Sequence, residues 1–180
     1  MLDHARKWEP APDWSTAVLN GKHLSVRNVD LPDQALVSGD LAAFGHLTGM
    51  DENGVGAFGH VKGLPYTVRL ARDRLLVVGG LPSAIHDGWN EAGFAVTAIG
   101  GADRVIELSG AGVMDLVSQA TTVDPALASA SASIGFAAVP ALAYHYGPAS
   151  DLRLHVERGL AVSIWTWLQT VLSEEEDHDH

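Results

Sequence analysis

A chain of 180 residues, 47% hydrophobic and 18% charged, is long enough to bury one core and too apolar for a disordered segment. Its formal net charge of −11, with only 11 Lys plus Arg, excludes the basic face that nucleic acid or an anionic membrane surface requires. It suits a basic patch on a protein partner instead. The absence of cysteine excludes disulfides, thiolate chemistry and cysteine-based zinc sites.

Residues 1–10 are charged and lack the apolar region of a signal peptide. No stretch approaches the roughly 20 apolar residues of a membrane span. The longest apolar region, residues 134–143, is interrupted by Gly135 and Pro140. The expectation is a cytoplasmic protein with no membrane and no nucleic-acid partner.

Residues 1–23 read as an N-terminal arm, with Trp8, Pro10, Pro12 and Trp14 in an extended stretch. Its tryptophans dock either on the protein's own core or on a partner. Leu24-Ser25-Val26-Arg27-Asn28-Val29 alternates as a strand does. Residues 33–47 read as a weak helix with Leu36, Leu41, Phe44 and Leu47 as its apolar positions, and the glycine-rich residues 48–63 as a loop. Tyr66-Thr67-Val68-Arg69-Leu70 is the next strand, Arg72-Asp73 its turn, and Leu75-Leu76-Val77-Val78 a strand buried on both faces. Pro82 suits a helix start, Ile85, Trp89 and Ala92 its apolar face, and Gly93 its end. Phe94 opens a last strand, completing a β-α-β-β-α-β order of the ferredoxin-like kind.

The order then restarts. Residues 104–108 read as a strand, and Ser109 as the N-cap of a helix with Val113, Leu116, Val117 and Ala120 on one face. A small-residue loop covers residues 121–133, strands cover 136–146 and 152–156, and a final helix covers 160–172. A shift of 78 places Tyr66 on Tyr144, Val68 on Tyr146, Leu76 on Leu154, Val78 on Val156 and Trp89 on Trp167, consistent with either a faint duplication or chance. The predicted fold is α+β: two ferredoxin-like units with helices packed on antiparallel-rich sheets. The domain spans residues 24–172, with lobes at about 24–100 and 101–172. Residues 173–180 form an acidic tail expected to be disordered.

No catalytic, cofactor-binding or metal-binding residue is assigned. Gly110-Ala111-Gly112 opens a helix after a strand, but Asp115 falls where a dinucleotide fingerprint needs its third glycine. Asp51-Glu52-Asn53-Gly54-Val55-Gly56 puts Val55 and Lys62 where a calcium loop needs oxygen ligands. Gly80-Leu81-Pro82-Ser83-Ala84 lacks the last glycine of a nucleophile elbow. His155-Val156-Glu157 has the spacing of zinc deaminases without their cysteines, and alternation puts His155 on the polar face, opposite Leu154 and Val156. His86 and Asp87 point to different faces. The tail histidines His178 and His180 read as solvated.

Several segments together resemble the sarcosine oxidase gamma subunits. The stretch Arg104-Val105-Ile106-Glu107-Leu108-Ser109-Gly110-Ala111-Gly112, followed by Met114-Asp115-Leu116-Val117, is similar to their strand, L-S-G-x-G and helix signature, with related wording across the aminomethyltransferase superfamily. Thr122-Val123-Asp124-Pro125 stands at their short turn, residues 152–158 with Trp165-Thr166-Trp167-Leu168 resemble their closing segment, and residues 66–78 resemble their D-E-W-L-L-V hairpin. Departures are Ile134-Gly135-Phe136-Ala137-Ala138, where G-x-x-A-x-T is usual, and Glu157-Arg158-Gly159, where Arg-Ser-Phe is usual. They point to a different N-methyl amine.

The resemblance implies a non-catalytic gamma chain with a structural role in a heterotetramer, carrying no cofactor of its own. Its partners would be larger alpha and beta flavoprotein subunits. The complete complex would carry FAD, FMN, NAD and tetrahydrofolate, with the oxidising flavin on beta and the nicotinamide and folate sites on alpha. The alternatives are a stand-alone folate-binding aminomethyltransferase-like protein and a ferredoxin-like ligand-binding module. The final helix, with Leu160, Val162, Ile164, Trp165, Trp167, Leu168, Val171 and Leu172, is apolar on more than one face. It is expected either to carry the partner interface, with Trp165 and Trp167 as anchors, or to be buried on both faces.

Overall fold

The computed structural model describes residues 11–149 and 151–177. In chain order the elements are β1 (Val18–Asn20), β2 (Ser25–Val29), β3 (Gln34–Gly39), α1 (Leu41–Thr48), β4 (His60–Val61), β5 (Tyr66–Ala71), β6 (Arg74–Val78), β7 (Gly88–Asn90), β8 (Phe94–Ala98), β9 (Asp103–Ser109), α2 (Val113–Ala120), β10 (Ser133–Phe136), β11 (Val139–Tyr146), β12 (Asp151–Glu157) and α3 (Ala161–Asp177). One sheet runs β1-β2-β9-β12-β11-β10 with β4 beside β11, and the other runs β5-β6-β3-β8-β7. Every strand pairing is antiparallel except that of β4 with β11. The fold is α+β.

Alternation on the strands builds four layers. The outer side of the first sheet, with Ile106, Leu108, Leu152 and Leu154, meets Leu116 and Val117 of α2 and Ile164 and Leu168 of α3. The outer side of the second sheet, with Val37, Val77, Phe94 and Val96, meets Leu41 and Phe44 of α1. Phe44 and Phe94 pack edge to face at 5.5 Å. Between the sheets lie Tyr66, Val68, Leu76 and Val78 from one and Val61 and Tyr144 from the other. Both faces of the central strands are therefore covered, which is why the β6 segment reads as a continuous apolar run.

The two halves share part of a plan. The order β3-α1-β5-β6 recurs as β9-α2-β11-β12, and in each sheet the hairpin's second strand lies beside the strand before the helix. The ferredoxin-like units expected from the sequence are not formed whole. The first lacks its second helix, and the strand beyond β9 in the second is β2, from the N-terminal side. The 78-residue shift also fails in the second strand of the hairpin. Leu76 faces the other sheet, whereas Leu154 faces the helices.

Four local readings are corrected. Residues 34–39 form β3 rather than a helix; this strand is hydrogen-bonded on both sides, and Gly39 at φ 118° blocks a helix there. The helix that follows starts at Leu41, where the Asp40 side chain accepts from the Ala43 N–H at 2.9 Å. Residues 82–93 hold no helix, because Gly88 at φ 105° starts β7 and leaves Trp89 exposed. Ser109 ends β9, and Gly112, without a side-chain bond, caps α2. The stripe Val113, Leu116, Val117 and Ala120 is buried as expected. The final helix runs on to Asp177, past the expected end at Leu172. Its glutamates extend it because they are good helix formers.

The turn between β9 and α2 needs its glycines. Gly110 has φ 112°, and a Cβ there would lie 2.3 Å from the His23 carbonyl oxygen, which accepts from the Gly112 N–H at 2.9 Å. Gly110→Ala is expected to cost about 2–3 kcal/mol, a fall in Tm of about 5–10 °C by calorimetry. An unchanged Tm would show that the turn relaxes freely.

Candidate functional site

The face of the first sheet that meets the second is not apolar throughout. Arg27 on β2, Glu107 on β9, Arg153 on β12 and Tyr144 on β11 are successive cross-strand partners, forming one row across four strands. Arg27 Nε donates to Glu107 Oε1 at 2.9 Å, and Arg153 Nε donates to Glu107 Oε2 at 2.9 Å. Glu107 is 3% exposed and Arg153 6% exposed, so both charges are buried, while Arg27 reaches solvent. The Arg153 guanidinium also lies 3.4 Å from the Tyr146 ring centroid.

From Arg153 a hydrogen-bonded chain crosses to the second sheet and back. Arg153 Nη1 donates to the Tyr66 hydroxyl at 3.1 Å. Tyr66 and Tyr144 share a 2.8 Å bond, and Tyr144 lies 2.7 Å from His155 Nε2. Arginine only donates, so among the described residues the partner shown for the Tyr66 proton is Tyr144. Tyr144 then donates to His155 Nε2. This direction leaves the imidazole proton on Nδ1.

Electrostatics follows this geometry. Burial pulls the Glu107 carboxyl upward, but the hydrogen bonds and charges of Arg27 and Arg153 outweigh it and hold Glu107 below the usual glutamate range. Burial raises the Tyr66 hydroxyl, and it raises that of Tyr144 further, helped by the neighbouring Tyr66. Burial and then the Arg153 charge push His155 down to about 3, so it is neutral at physiological pH. Asp103, whose carboxylate lies 4.0 Å from His155 Nδ1, is raised by burial and by Glu157.

A cleft of about 440 Å³ lies between the sheets, with His155 and Asp103 in its lining. Among the described residues, no cluster of three or more His, Asp or Glu side chains is placed to hold a metal. The Asp51 loop is an ordinary turn: Asp51 accepts from the Asn53 N–H, and Arg69 donates to the Glu52 and Asn53 carbonyls. Gly110 and Gly112 pack on His23. The Asp87 side chain accepts from the Ala98 N–H at 3.1 Å, away from the polar row.

The two tryptophans expected as partner anchors pack within the fold. Trp165 is 3% exposed and meets Trp14 edge to face at 5.5 Å, so Trp14 docks on the protein's own core. Trp167 packs edge to face on Phe136 at 5.9 Å. Trp8 lies outside the described residues.

The sequence model of the sarcosine oxidase gamma subunit family matches residues 73–174, more than half of the chain. The chain belongs to the sarcosine oxidase gamma subunit family. The match takes in Glu107, Tyr144, Arg153 and His155, while their partners Arg27 and Tyr66 lie before it. A chain of the heterotetrameric sarcosine oxidase from Corynebacterium sp. U-96, solved in complex with pyrrole 2-carboxylate, superposes with a TM-score of 0.67 at 19% identity. The likeness covers 89% of each chain and concerns the fold. No curated protein sequence matches. No helix among the described residues is long and apolar enough to cross a membrane.

Sequence reasoning did not find the polar row. The available signal was a charged residue held between two aliphatic ones in two of its strands, Ile106-Glu107-Leu108 and Leu152-Arg153-Leu154. His155 does lie opposite Leu154 and Val156, but the second sheet roofs that face, leaving it 1% exposed.

Proposed function

We propose that this chain is the non-catalytic gamma subunit of a sarcosine oxidase-like heterotetramer that oxidises an N-methyl amine or amino acid in the cytoplasm. The family match over residues 73–174 carries this reading. The fold shared with a heterotetrameric sarcosine oxidase chain supports it. So does the chemistry of the buried row: Glu107 is held between two arginines that neutralise it, an arrangement that ties β2, β9 and β12 together. The role is structural. The larger alpha and beta subunits carry FAD, FMN, NAD and tetrahydrofolate. Equilibrium dialysis of the full chain against FAD, NAD and tetrahydrofolate is expected to give no saturable binding. Saturable tetrahydrofolate uptake would favour the aminomethyltransferase-like alternative.

The partner surface should include Trp89. This side chain is 73% exposed on β7, the end strand of the second sheet, where backbone groups are open to pairing. Trp89→Ala is expected to weaken association with the larger subunits by about 2 kcal/mol, roughly 30-fold in Kd. Surface-coupled binding assays would measure this. An unchanged Kd would place the interface elsewhere.

A further inference from the structure

The cleft between the sheets joins an apolar wall to an unbalanced charge. Leu36 on β3, Leu70 on β5, Leu142 on β11 and Ile99 after β8 line it half-buried, together with the buried Leu76. Its volume of about 440 Å³ far exceeds the roughly 10–15 Å³ that one water occupies, and aliphatic walls offer water no hydrogen bonds. At its margin, Asp103 on β9 and Glu157 on β12 are direct cross-strand partners. Strand alternation puts both on the face that carries Arg153 and His155. Like charges directly opposite each other destabilise a sheet, and burial and Glu157 raise the Asp103 carboxyl. Among the described residues, the one group in ion-pair range of either carboxylate is His155, 4.0 Å from Asp103, and it is neutral. Arg104 points to the other face, over Trp14. Arg74 lines the cleft from the second sheet and offsets one of the two negative charges.

We propose that this cleft is a docking site for one of the larger subunits, which inserts a segment carrying an apolar side chain against the leucines and a Lys or Arg at the Asp103–Glu157 pair. This docking presupposes the role of the chain as a subunit. Charge complementarity selects the occupant. A segment with an acidic residue would add a third carboxylate. A wholly apolar one would dry the margin and leave the two carboxylates desolvated without a counter-charge. A second copy of this chain, with a net charge of −11, would bring a predominantly acidic surface.

The test measures association of the full chain with the purified larger subunits by surface-coupled binding, with calorimetry and sedimentation of each variant alone. Glu157 is exposed, and Glu157→Lys replaces a like-charge pair by an opposite one, so its Tm should not fall. Its Kd for the subunits should nevertheless rise at least about tenfold, because the partner's cation then meets a lysine. Glu157→Gln should lose less affinity, and its Kd should rise less steeply with salt than that of the wild type. Leu142→Trp, which fills the apolar part of the cleft, should also weaken association. Association of the wild type with an unchanged Kd for Glu157→Lys would overturn the docking site and leave the subunit role standing, whereas no association of the wild type would overturn both. A wild-type dimer made monomeric by Glu157→Lys would overturn it in favour of a second copy. Saturable binding of hexylammonium that leaves subunit association unaffected would overturn it in favour of a small amine.

Discussion

Glu107→Ala is expected to lower the unfolding free energy by about 3–5 kcal/mol, because it strands the buried Arg153 without its counter-charge. Arg27 loses less, since its side chain is 62% exposed and water replaces the carboxylate. The loss should be largely recovered in Glu107→Leu combined with Arg153→Met, which replaces the buried pair by apolar groups of similar volume. Urea unfolding of the three proteins would measure both effects. A single-variant cost below about 1 kcal/mol would mean that water reaches Arg153, contrary to its burial. For the wild-type pair, stability supplied by the depressed Glu107 is present above the ordinary glutamate range. It is lost as pH falls through the still lower folded value.

Acid should destabilise the chain well before the carboxylates titrate. An unfolded histidine takes up its proton near pH 6.5, whereas folded His155 does so only at about 3. Between those values the unfolded state holds one more proton. Stability attributable to this residue therefore falls by about 1.4 kcal/mol for each pH unit of acidification, or about 2 kcal/mol from pH 6.5 to 5. Asp103, raised by burial, works in the opposite direction at lower pH. Urea unfolding at pH 7, 6 and 5 should show the fall, and His155→Gln should remove this share of it. Equal slopes in the two proteins would refute the buried neutral imidazole.

Four strands were legible: residues 24–29, 66–70, 94–99 and 152–156 fall on β2, β5, β8 and β12, within a residue at the ends. The α2 stripe was legible because its four apolar positions share a face. What the sequence hid was the identity of the covering layer. Alternation assigns His155 and Arg153 to the face opposite Leu154, but whether water or a second sheet lies there depends on residues 66–78, far away in the chain. Residues 34–39 were misread because their tertiary place between β6 and β8 overrides a weak helical pattern. Ile85, Trp89 and Ala92 have helical spacing, yet Gly88 at positive φ breaks the segment. The closing helix was correctly seen as apolar on more than one face. One face lies on the sheet through Ile164 and Leu168, and Trp14 covers Trp165 on another.

Affinity purification of the full chain from its native cells, with mass spectrometry of what accompanies it, bears most directly on the proposed role as a subunit. Recovery of larger FAD-containing amine oxidase subunits in fixed stoichiometry is the expected result. Recovery of the chain alone, monomeric at native levels, would contradict it, because a dedicated subunit of a heterotetramer does not circulate free.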